Sequence, residues 1–335
     1  MKEALLYVKL ENNFVACNLC AHRCRIAEGK FGFCGVRQNL KGALYTHAYG
    51  RVAAAHVDPV EKKPLYHFLP GTYSFSVATI GCNFHCGFCQ NWEISQADFR
   101  NAAAEGRAVS AQELVDAALQ NKCRSISYTY TEPTIFFEYA LETAKLAKAK
   151  GLRNIFVTNG YMTREALELI RPDLDAANVD LKFFNESSYK RVCSASLAPV
   201  LETIKLMYEL GIWVEVTTLV IPGENDSDEE LKGIAGFIAS VNKNIPWHVS
   251  RFHPDYKFNT LGPTDEGTLK MAEDIGRLAG LNFVYAGNVQ LWGNDTHCPH
   301  CKKLLVKREV FNILENDIKQ GMCAYCSAVI PGVFA

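Results

Sequence analysis

Residues 72–92 read TYSFSVATIGCNFHCGFCQNW, in which an apolar run typical of a β-strand leads directly into three cysteines. Cys82, Cys86 and Cys89 have the spacing C-x3-C-x2-C, so their thiols can converge on one metal centre if the loop wraps around it. A closed structural zinc site takes four ligands, and a [4Fe–4S] cluster is normally held by four cysteines. A cluster held by three cysteines leaves one iron open to a substrate. A zinc site completed by His85 or by a distant residue is the alternative that the spacing leaves open.

Strand and helix patterns alternate along the central part of the chain. The predicted strands are residues 72–79, 125–130, 153–159, 177–183, 213–221, 247–252 and, as a seventh, 283–287. The predicted helices are residues 110–121, 133–150, 163–170, 198–210 and 227–241, and Gly- and Pro-containing loops are expected at 223–226, 253–256 and 261–267. Strands separated by helices indicate βα units around a parallel sheet. Because an eight-unit barrel needs ~250 residues, six or seven units in about 215 residues predict an α/β fold with a partial (β/α)6 barrel.

Cysteine-rich extensions flank this barrel, so we expect a lobe and an irregular connector at 1–70, the barrel at 71–290 and a zinc-ribbon-like segment at 291–335. The C-terminal segment has two C-x2-C pairs 21 residues apart, a spacing typical of zinc, with rubredoxin-like iron as the second choice. These residues are Cys298, Cys301, Cys323 and Cys326. The N-terminal lobe has four cysteines that could hold zinc or a second iron–sulfur cluster. These residues are Cys17, Cys20, Cys24 and Cys34.

Composition restricts the class of protein. The chain has 335 residues, of which 48% are hydrophobic and 21% charged, with a formal net charge of −1. This balance argues against nucleic-acid binding, because proteins held on nucleic acid are strongly basic. The chain has thirteen cysteines, which is an odd number, and no signal peptide is expected. Both observations favour metal ligation over disulfides. They also predict a cytoplasmic location. Cys123 and Cys193 stand apart from the three groups and are expected to be buried, and no membrane span is expected.

The pattern C-x3-C-x-aromatic-C, formed by Cys82, Cys86, Phe88 and Cys89, resembles the hallmark of the radical S-adenosylmethionine (SAM) superfamily. The likeness covers most of 72–290 and is strongest to the pyruvate formate-lyase activating-enzyme branch. The cysteine-rich ends are similar to the radical SAM member of the AmmeMemoRadiSam system, and this likeness favours zinc in the N-terminal lobe. The resemblance implies a [4Fe–4S] cluster on the three central cysteines, SAM bound to its open iron, and a low-potential electron donor of the flavodoxin or ferredoxin type.

The resemblance also implies residues that hold SAM. YTEP at 130–133 stands where the superfamily usually has GGEP, and Thr217 stands where an arginine is common. The implied SAM-binding residues are Phe88, Tyr130, Thr131, Glu132, Asn159, Asp180, Lys182 and His253. Five of them have a structural alternative: Glu132 as a helix cap, Asp180 and Lys182 as an ion pair, Asn159 in a turn, and His253 as a loop residue.

The implied reaction is reductive cleavage of SAM to methionine and a 5′-deoxyadenosyl radical, which abstracts hydrogen from a substrate. No general acid, base or nucleophile is assigned, because the cofactor performs the difficult step. The activating-enzyme likeness implies a glycine Cα–H of a protein substrate. The alternatives are modification of a small molecule, peptide or RNA base, and a non-enzymatic scaffold that binds several zinc ions.

Overall fold

The computed structural model describes residues 1–97, 99, 106–289 and 292–334. Residues 2–46 form two small sheets of three strands each, with antiparallel pairing throughout. The strands are β1 (Lys2–Glu3), β2 (Tyr7–Lys9), β3 (Val15–Cys17), β4 (Arg25–Ile26), β5 (Arg37–Leu40) and β6 (Ala43–Thr46). One sheet has the order β1-β6-β5 and the other β2-β3-β4. The N-terminal lobe is therefore built from short strands around its cysteines.

A nine-stranded sheet forms the centre of the molecule. Its strands are β7 (Arg51–Pro59), β8 (Tyr73–Thr79), β9 (Arg107–Ala108), β10 (Ser125–Tyr128), β11 (Arg153–Thr158), β12 (Ala176–Asp180), β13 (Trp213–Val220), β14 (Trp247–Arg251) and β15 (Val284–Gly287). The order is β15-β14-β13-β12-β11-β10-β8-β7-β9. The seven strands from β15 to β8 are all parallel. The predicted partial barrel with parallel strands is confirmed.

Helices follow the strands as the alternating pattern predicts. They are α1 (Trp92–Ser95), α2 (Ala111–Gln120), α3 (Phe137–Ala149), α4 (Arg164–Ile170), α5 (Glu186–Ser188), α6 (Leu197–Glu209), α7 (Asp228–Val241) and α8 (Glu266–Leu278). A 3-10 turn at Pro133–Phe136 precedes α3. The N-cap of α2 is a capping box, in which the Ser110 hydroxyl accepts from the Glu113 N–H and the Glu113 carboxylate accepts from the Ser110 N–H.

Two elements of the fold differ from the sequence expectation. Strand β7 lies in the segment expected to be irregular, where its run of alanines hides the strand period, and it pairs antiparallel with β8. Helix α8 begins inside the expected loop at 261–267, with the Asp265 carboxylate accepting from the Gly267 N–H at 2.7 Å. The glycines of α8 weaken its helical signal, yet Gly276 allows close contact with Trp247.

The C-terminal segment forms a small β-unit. Its strands are β16 (Thr296–His297), β17 (Leu304–Glu309), β18 (Asn312–Asn316), β19 (Ile318–Lys319) and β20 (Met322–Cys323). The expected boundary between residues 290 and 291 lies outside the described residues, and the division into three segments stays a prediction. No helix in the described part of the chain is both long and apolar enough to cross a bilayer.

Candidate active site

The loop with the three central cysteines begins directly after β8, at the carboxyl end of a parallel strand. The segment that ends at Cys193 packs against this loop and accepts two backbone hydrogen bonds from it. The His85 N–H donates to the Cys193 carbonyl at 3.0 Å, and the Gly87 N–H donates to the Val192 carbonyl at 3.1 Å. Carboxyl ends of barrel strands carry the active sites of such folds, so the structure places this loop where chemistry is expected.

Each central cysteine sulfur has a polar neighbour in the loop or next to it. The Phe84 N–H donates to the Cys82 sulfur at 3.3 Å, and the Ser95 hydroxyl lies 3.1 Å from the Cys89 sulfur. Burial raises the pKa of Cys82 well above its ordinary value, and the neighbouring Glu132 carboxylate adds to this shift. Burial also raises the pKa of Cys89. Hydrogen bonds to thiolates tune the clusters that they hold.

Cys193 lies beside Cys86, although 107 positions separate the two in the sequence. The neighbouring Cys193 thiol lowers the pKa of Cys86, whereas burial raises the pKa of Cys193 well above its usual range. Cys123 and Cys193 are both buried, as predicted. Sequence reasoning missed that Cys193 adjoins the central cysteines, because no local motif relates it to them.

The segment YTEP crosses from β10 to the turn that precedes α3. The Thr131 hydroxyl donates to the Thr79 carbonyl at 2.9 Å, which ties this segment to the end of β8. The Glu132 carboxylate is 1% exposed and accepts from the Thr134 N–H at 3.0 Å and the Asn159 N–H at 2.8 Å. Glu132 therefore caps the following turn, which is the structural role that the sequence left open for it. It also accepts a hydrogen bond from the backbone just after β11. Burial raises the pKa of Glu132.

Tyr130 points towards β7. Its hydroxyl donates to the Asp58 carboxylate, and the Lys63 ammonium lies 4.6 Å from the centre of its ring. Asp58 also accepts from Lys62 at 2.9 Å. This network anchors the start of the YTEP segment on the antiparallel edge of the sheet.

Asn159 connects the end of β11 to the cysteine loop. Its side-chain amide donates to the side-chain oxygen (Oδ1) of Asn83 at 2.8 Å, next to Cys82. Its own side-chain oxygen accepts from the Tyr161 N–H at 3.1 Å, which closes the turn that the sequence indicates. Asn159 is thus brought to the loop, while sequence reasoning did not single out Asn83.

Asp180 and Lys182 form the ion pair that their alternation along the chain allows. Lys182 Nζ donates to an Asp180 carboxylate oxygen at 2.8 Å and lies 5.6 Å from the centre of the Phe88 ring. Burial opposes the charge of Lys182, but Asp180 and the Cys86 and Cys193 sulfurs raise its pKa well above the ordinary value. A positive charge is therefore held beside the cysteine loop.

His253 follows β14 and is exposed. Phe88 is buried, with its ring centre 6.2 Å from that of Phe183. Thr217 pairs in register with Asp180 across β12 and β13. The structure thus brings Phe88, the YTEP segment, Asn159 and the Asp180–Lys182 pair to one end of the sheet.

Two buried polar atoms at this end have no protein partner. They are Asn83 Nδ2 and Thr217 Oγ1, counted among the described residues. A buried polar group without a partner costs free energy unless a ligand or water satisfies it. Three cysteines in one loop, a partly buried cation and these unsatisfied atoms fit an iron–sulfur cluster with a polar, charged ligand.

The C-terminal cysteines form a compact four-sulfur site. The sulfurs of Cys298 and Cys326 are 3.7 Å apart, as are those of Cys301 and Cys323, and all four lie within 4.8 Å of one another. Tetrahedral zinc with Zn–S bonds of about 2.3 Å requires sulfurs about 3.8 Å apart. These four residues could therefore hold one metal ion, as predicted.

The N-terminal cysteines line a common cavity in the lobe. Cys17 is the last residue of β3 and is buried, and the other three are partly buried. The cavity lining also includes Arg37 and Ile135. Within the described residues, this group does not reach the close sulfur spacing of the C-terminal site.

Comparison with known proteins defines the class. Residues 76–233 match the radical SAM superfamily. A protein of Methanocaldococcus jannaschii, described only as uncharacterised, is 44% identical over 334 residues, which cover 98% of this chain and 99% of that protein. The pyruvate formate-lyase-activating enzyme of Clostridium pasteurianum is 23% identical over 210 residues, 58% of this chain and 85% of that enzyme. The chain belongs to the radical SAM superfamily, with pyruvate formate-lyase-activating enzymes among its relatives.

A solved structure supports the fold. Streptococcus suis SuiB bound to S-adenosylmethionine matches with a TM-score of 0.52 and 13% identity, over 68% of this chain and 53% of that chain. At this identity the match establishes the fold alone. Membership of the superfamily implies an iron–sulfur cluster and SAM as cofactors, and the three cysteines of the loop after β8 agree with it.

Proposed function

We propose that this chain cleaves SAM reductively at a [4Fe–4S] cluster held by Cys82, Cys86 and Cys89. The observation that carries this proposal is a loop of three cysteines, with no fourth member of the same motif, that follows the carboxyl end of β8 inside the region that matches the radical SAM superfamily. When bound, the cluster supplies the electron that splits SAM into methionine and a 5′-deoxyadenosyl radical.

The surrounding residues bind and orient the cofactor. Asp180 and Lys182 offer paired charges for the polar groups of SAM, and Phe88 offers an apolar ring face for its adenine. The Thr217 hydroxyl and the Asn83 amide offer hydrogen bonds that the protein leaves unused. Glu132 is already engaged by backbone N–H groups, so it orders the ends of β10 and β11 and contributes negative charge.

The proposed substrate is a glycine Cα–H in a protein, and the proposed reductant is a flavodoxin or ferredoxin. Similarity to the pyruvate formate-lyase-activating enzyme supports both. The C-terminal four-sulfur site is proposed to hold zinc, because its sulfur spacing fits one tetrahedral ion.

Anaerobic turnover tests the cleavage reaction. The reconstituted and reduced protein is expected to form 5′-deoxyadenosine from SAM, and Cys86→Ala is expected to abolish this product. Cys123→Ala is the matched control, because Cys123 is also buried but lies outside the site. The absence of 5′-deoxyadenosine from the iron-loaded wild-type protein, or its persistence in Cys86→Ala, would contradict the proposal.

Isotope transfer tests the substrate. Proteins from source cells grown on α-deuterated glycine are separated from small molecules and nucleic acids, and each fraction is supplied to the reduced enzyme. Deuterium in 5′-deoxyadenosine with the protein fraction alone supports a glycyl substrate. Hydrogen transfer only from the small-molecule or nucleic-acid fraction would overturn that assignment and leave the cleavage reaction intact.

A further inference from the structure

The N-terminal cysteines stand further apart than the ligands of a single ion. Cys17, Cys20, Cys24 and Cys34 line one cavity, but no three of their sulfurs all lie within 4.8 Å of one another. The sulfurs of the C-terminal site, in contrast, stand 3.7 Å apart in two pairs, as one tetrahedral ion requires. A cubane cluster places each thiolate on a different iron, so its ligand sulfurs stand further apart than the ligands of one ion.

Polar groups in this lobe are aimed at the cysteine sulfurs. Arg37 is 1% exposed, and its guanidinium donates to the Cys17 sulfur at 3.2 Å. The Phe33 N–H donates to the Cys24 sulfur at 3.5 Å. Glu138, also buried, accepts from the other end of the guanidinium and fixes its position. A buried cation of this kind offsets the negative charge of four thiolates and hydrogen-bonds to the sulfurs, which stabilises a reduced cluster.

The N-terminal lobe contacts the central cysteine loop on both sides of Cys82. A Cβ atom built on Gly81 would lie 3.2 Å from the Cys34 carbonyl oxygen, so the two backbones touch there. On the other side, the His22 Nε2 lies 2.7 Å from the Asn83 carbonyl oxygen, to which it donates. These two contacts link the N-terminal cysteine group directly to the residues on either side of Cys82.

Aromatic rings also form contacts between the N-terminal lobe and the central cysteine loop. The Phe33 ring centre lies 4.1 Å from that of His22 and 4.6 Å from that of His85. The N-terminal loop is also fixed to the segment after β11, where the Ala21 N–H donates to the Tyr161 carbonyl at 2.9 Å. The contact between the lobe and the site is therefore packed and ordered.

We propose that Cys17, Cys20, Cys24 and Cys34 hold a second [4Fe–4S] cluster, which passes single electrons to the cluster at Cys82, Cys86 and Cys89. The electron-transfer role rests on the proposed function, whereas the cluster site does not. A reduced flavodoxin or ferredoxin loses one electron to the N-terminal cluster. That cluster is then reoxidised when it reduces the central cluster, so no proton or bond changes place.

Metal and sulfide content tests the site directly. Anaerobically reconstituted wild-type protein is expected to contain about eight iron and about eight sulfide ions per chain, because each cubane contributes four of each, together with one zinc. The triple variant Cys82→Ala, Cys86→Ala, Cys89→Ala isolates the N-terminal group and is expected to retain about four of each, with a paramagnetic signal after reduction. About four irons in the wild-type protein and none in the triple variant, with a second zinc, would overturn the proposal.

Turnover with two kinds of reductant tests the electron transfer. The double variant Cys20→Ser, Cys34→Ser is expected to lose half of the iron and to form 5′-deoxyadenosine about tenfold more slowly with a reduced flavodoxin. With dithionite, which reaches the central cluster directly, its rate is expected to stay near that of the control Cys123→Ser. Equal rates with flavodoxin in the double variant and the control would refute the relay. Eight irons per chain without any 5′-deoxyadenosine would refute the proposed cleavage of SAM but would still support the second cluster.

Discussion

Tyr130 shows how a single residue can replace a family glycine. Its φ of 62° lies in the left-handed region that favours glycine, and the superfamily pattern usually has glycine at this position. The cost of this conformation for a side chain is about 1–2 kcal/mol. Its hydrogen bond to Asp58 and the contact of its ring with Lys63 offset that cost. The YTEP segment therefore keeps the turn without the glycine.

At the same scale, Cys193 is predicted to tune the central cluster without holding it. In Cys193→Ala the thiol that lowers the pKa of Cys86 is lost, so electron density stays on the ligand sulfur and the cluster is harder to reduce. An interaction worth ~1 kcal/mol corresponds to a midpoint potential lower by about 40 mV. An EPR-monitored redox titration measures this shift, with Cys123→Ala as the control. Loss of iron from Cys193→Ala would instead identify Cys193 as a fourth ligand and contradict the open-iron site.

At the scale of elements, Gly160 positions the turn after β11 against its neighbours. Its φ is 70°, and a Cβ atom there would lie 2.8 Å from Val179 in β12 and 3.3 Å from Val200 in α6. Gly151 has a similar φ of 77°, yet no described heavy atom outside its chain neighbours lies within 4 Å of its Cβ position. A comparison of the same substitution at the two glycines therefore separates the cost of backbone strain from the cost of overpacking.

Gly160→Ala is predicted to destabilise the protein more than Gly151→Ala. Both substitutions cost about 1–2 kcal/mol for the left-handed backbone, and Gly160→Ala adds about 1–3 kcal/mol because the core there is overpacked. Denaturant unfolding of the two variants measures the difference. Equal losses of unfolding free energy in the two variants would contradict this prediction. They would show that β12 and α6 move to accept the added methyl group without losing stability.

At the scale of the whole molecule, a buried polar network closes the end of the sheet opposite the cysteine loop. Glu215, near the start of β13, accepts from the His67 N–H at 2.8 Å and from His248 at 2.7 Å. His67 Nδ1 donates to the Pro331 carbonyl at 2.7 Å, so its Nε2 accepts from the Tyr285 hydroxyl at 2.6 Å. The connector, the barrel and the C-terminal segment meet at this neutral histidine.

His67 is predicted to make stability depend on pH. Burial lowers the pKa of His67 from 6.5 to about 4, so the unfolded chain takes up a proton before the folded one does. The free energy of unfolding therefore falls as the pH drops from about 6.5 to about 4, by up to ~1.4 kcal/mol per pH unit.

Unfolding of His67→Gln across this pH range tests the assignment. The variant is expected to lose much of the pH slope, while the exposed His253→Gln is expected to keep it. Comparison at each pH cancels the acid sensitivity of the metal sites, which all three proteins share. An unchanged slope in His67→Gln would contradict the role of His67.

Local patterns predicted much of this fold. The apolar runs from β8 to β15 and the helices between them identify the barrel, because each signal lies within one element. The spacing within each cysteine group likewise identifies the central and C-terminal sites. Strand β7 and helix α8 escaped prediction because alanines hide the period of the strand and glycines interrupt the helix.

The order of the amino acids alone determined which elements form and which cysteines share a loop, since both depend on neighbours along the chain. The tertiary structure decided that Cys193 reaches Cys86, that Cys34 touches the backbone beside Cys82, and that His67 bonds to Pro331 and lies against Glu215. These pairs are distant in sequence, so their contact depends on how the βα units and the two ends pack, which no local pattern records.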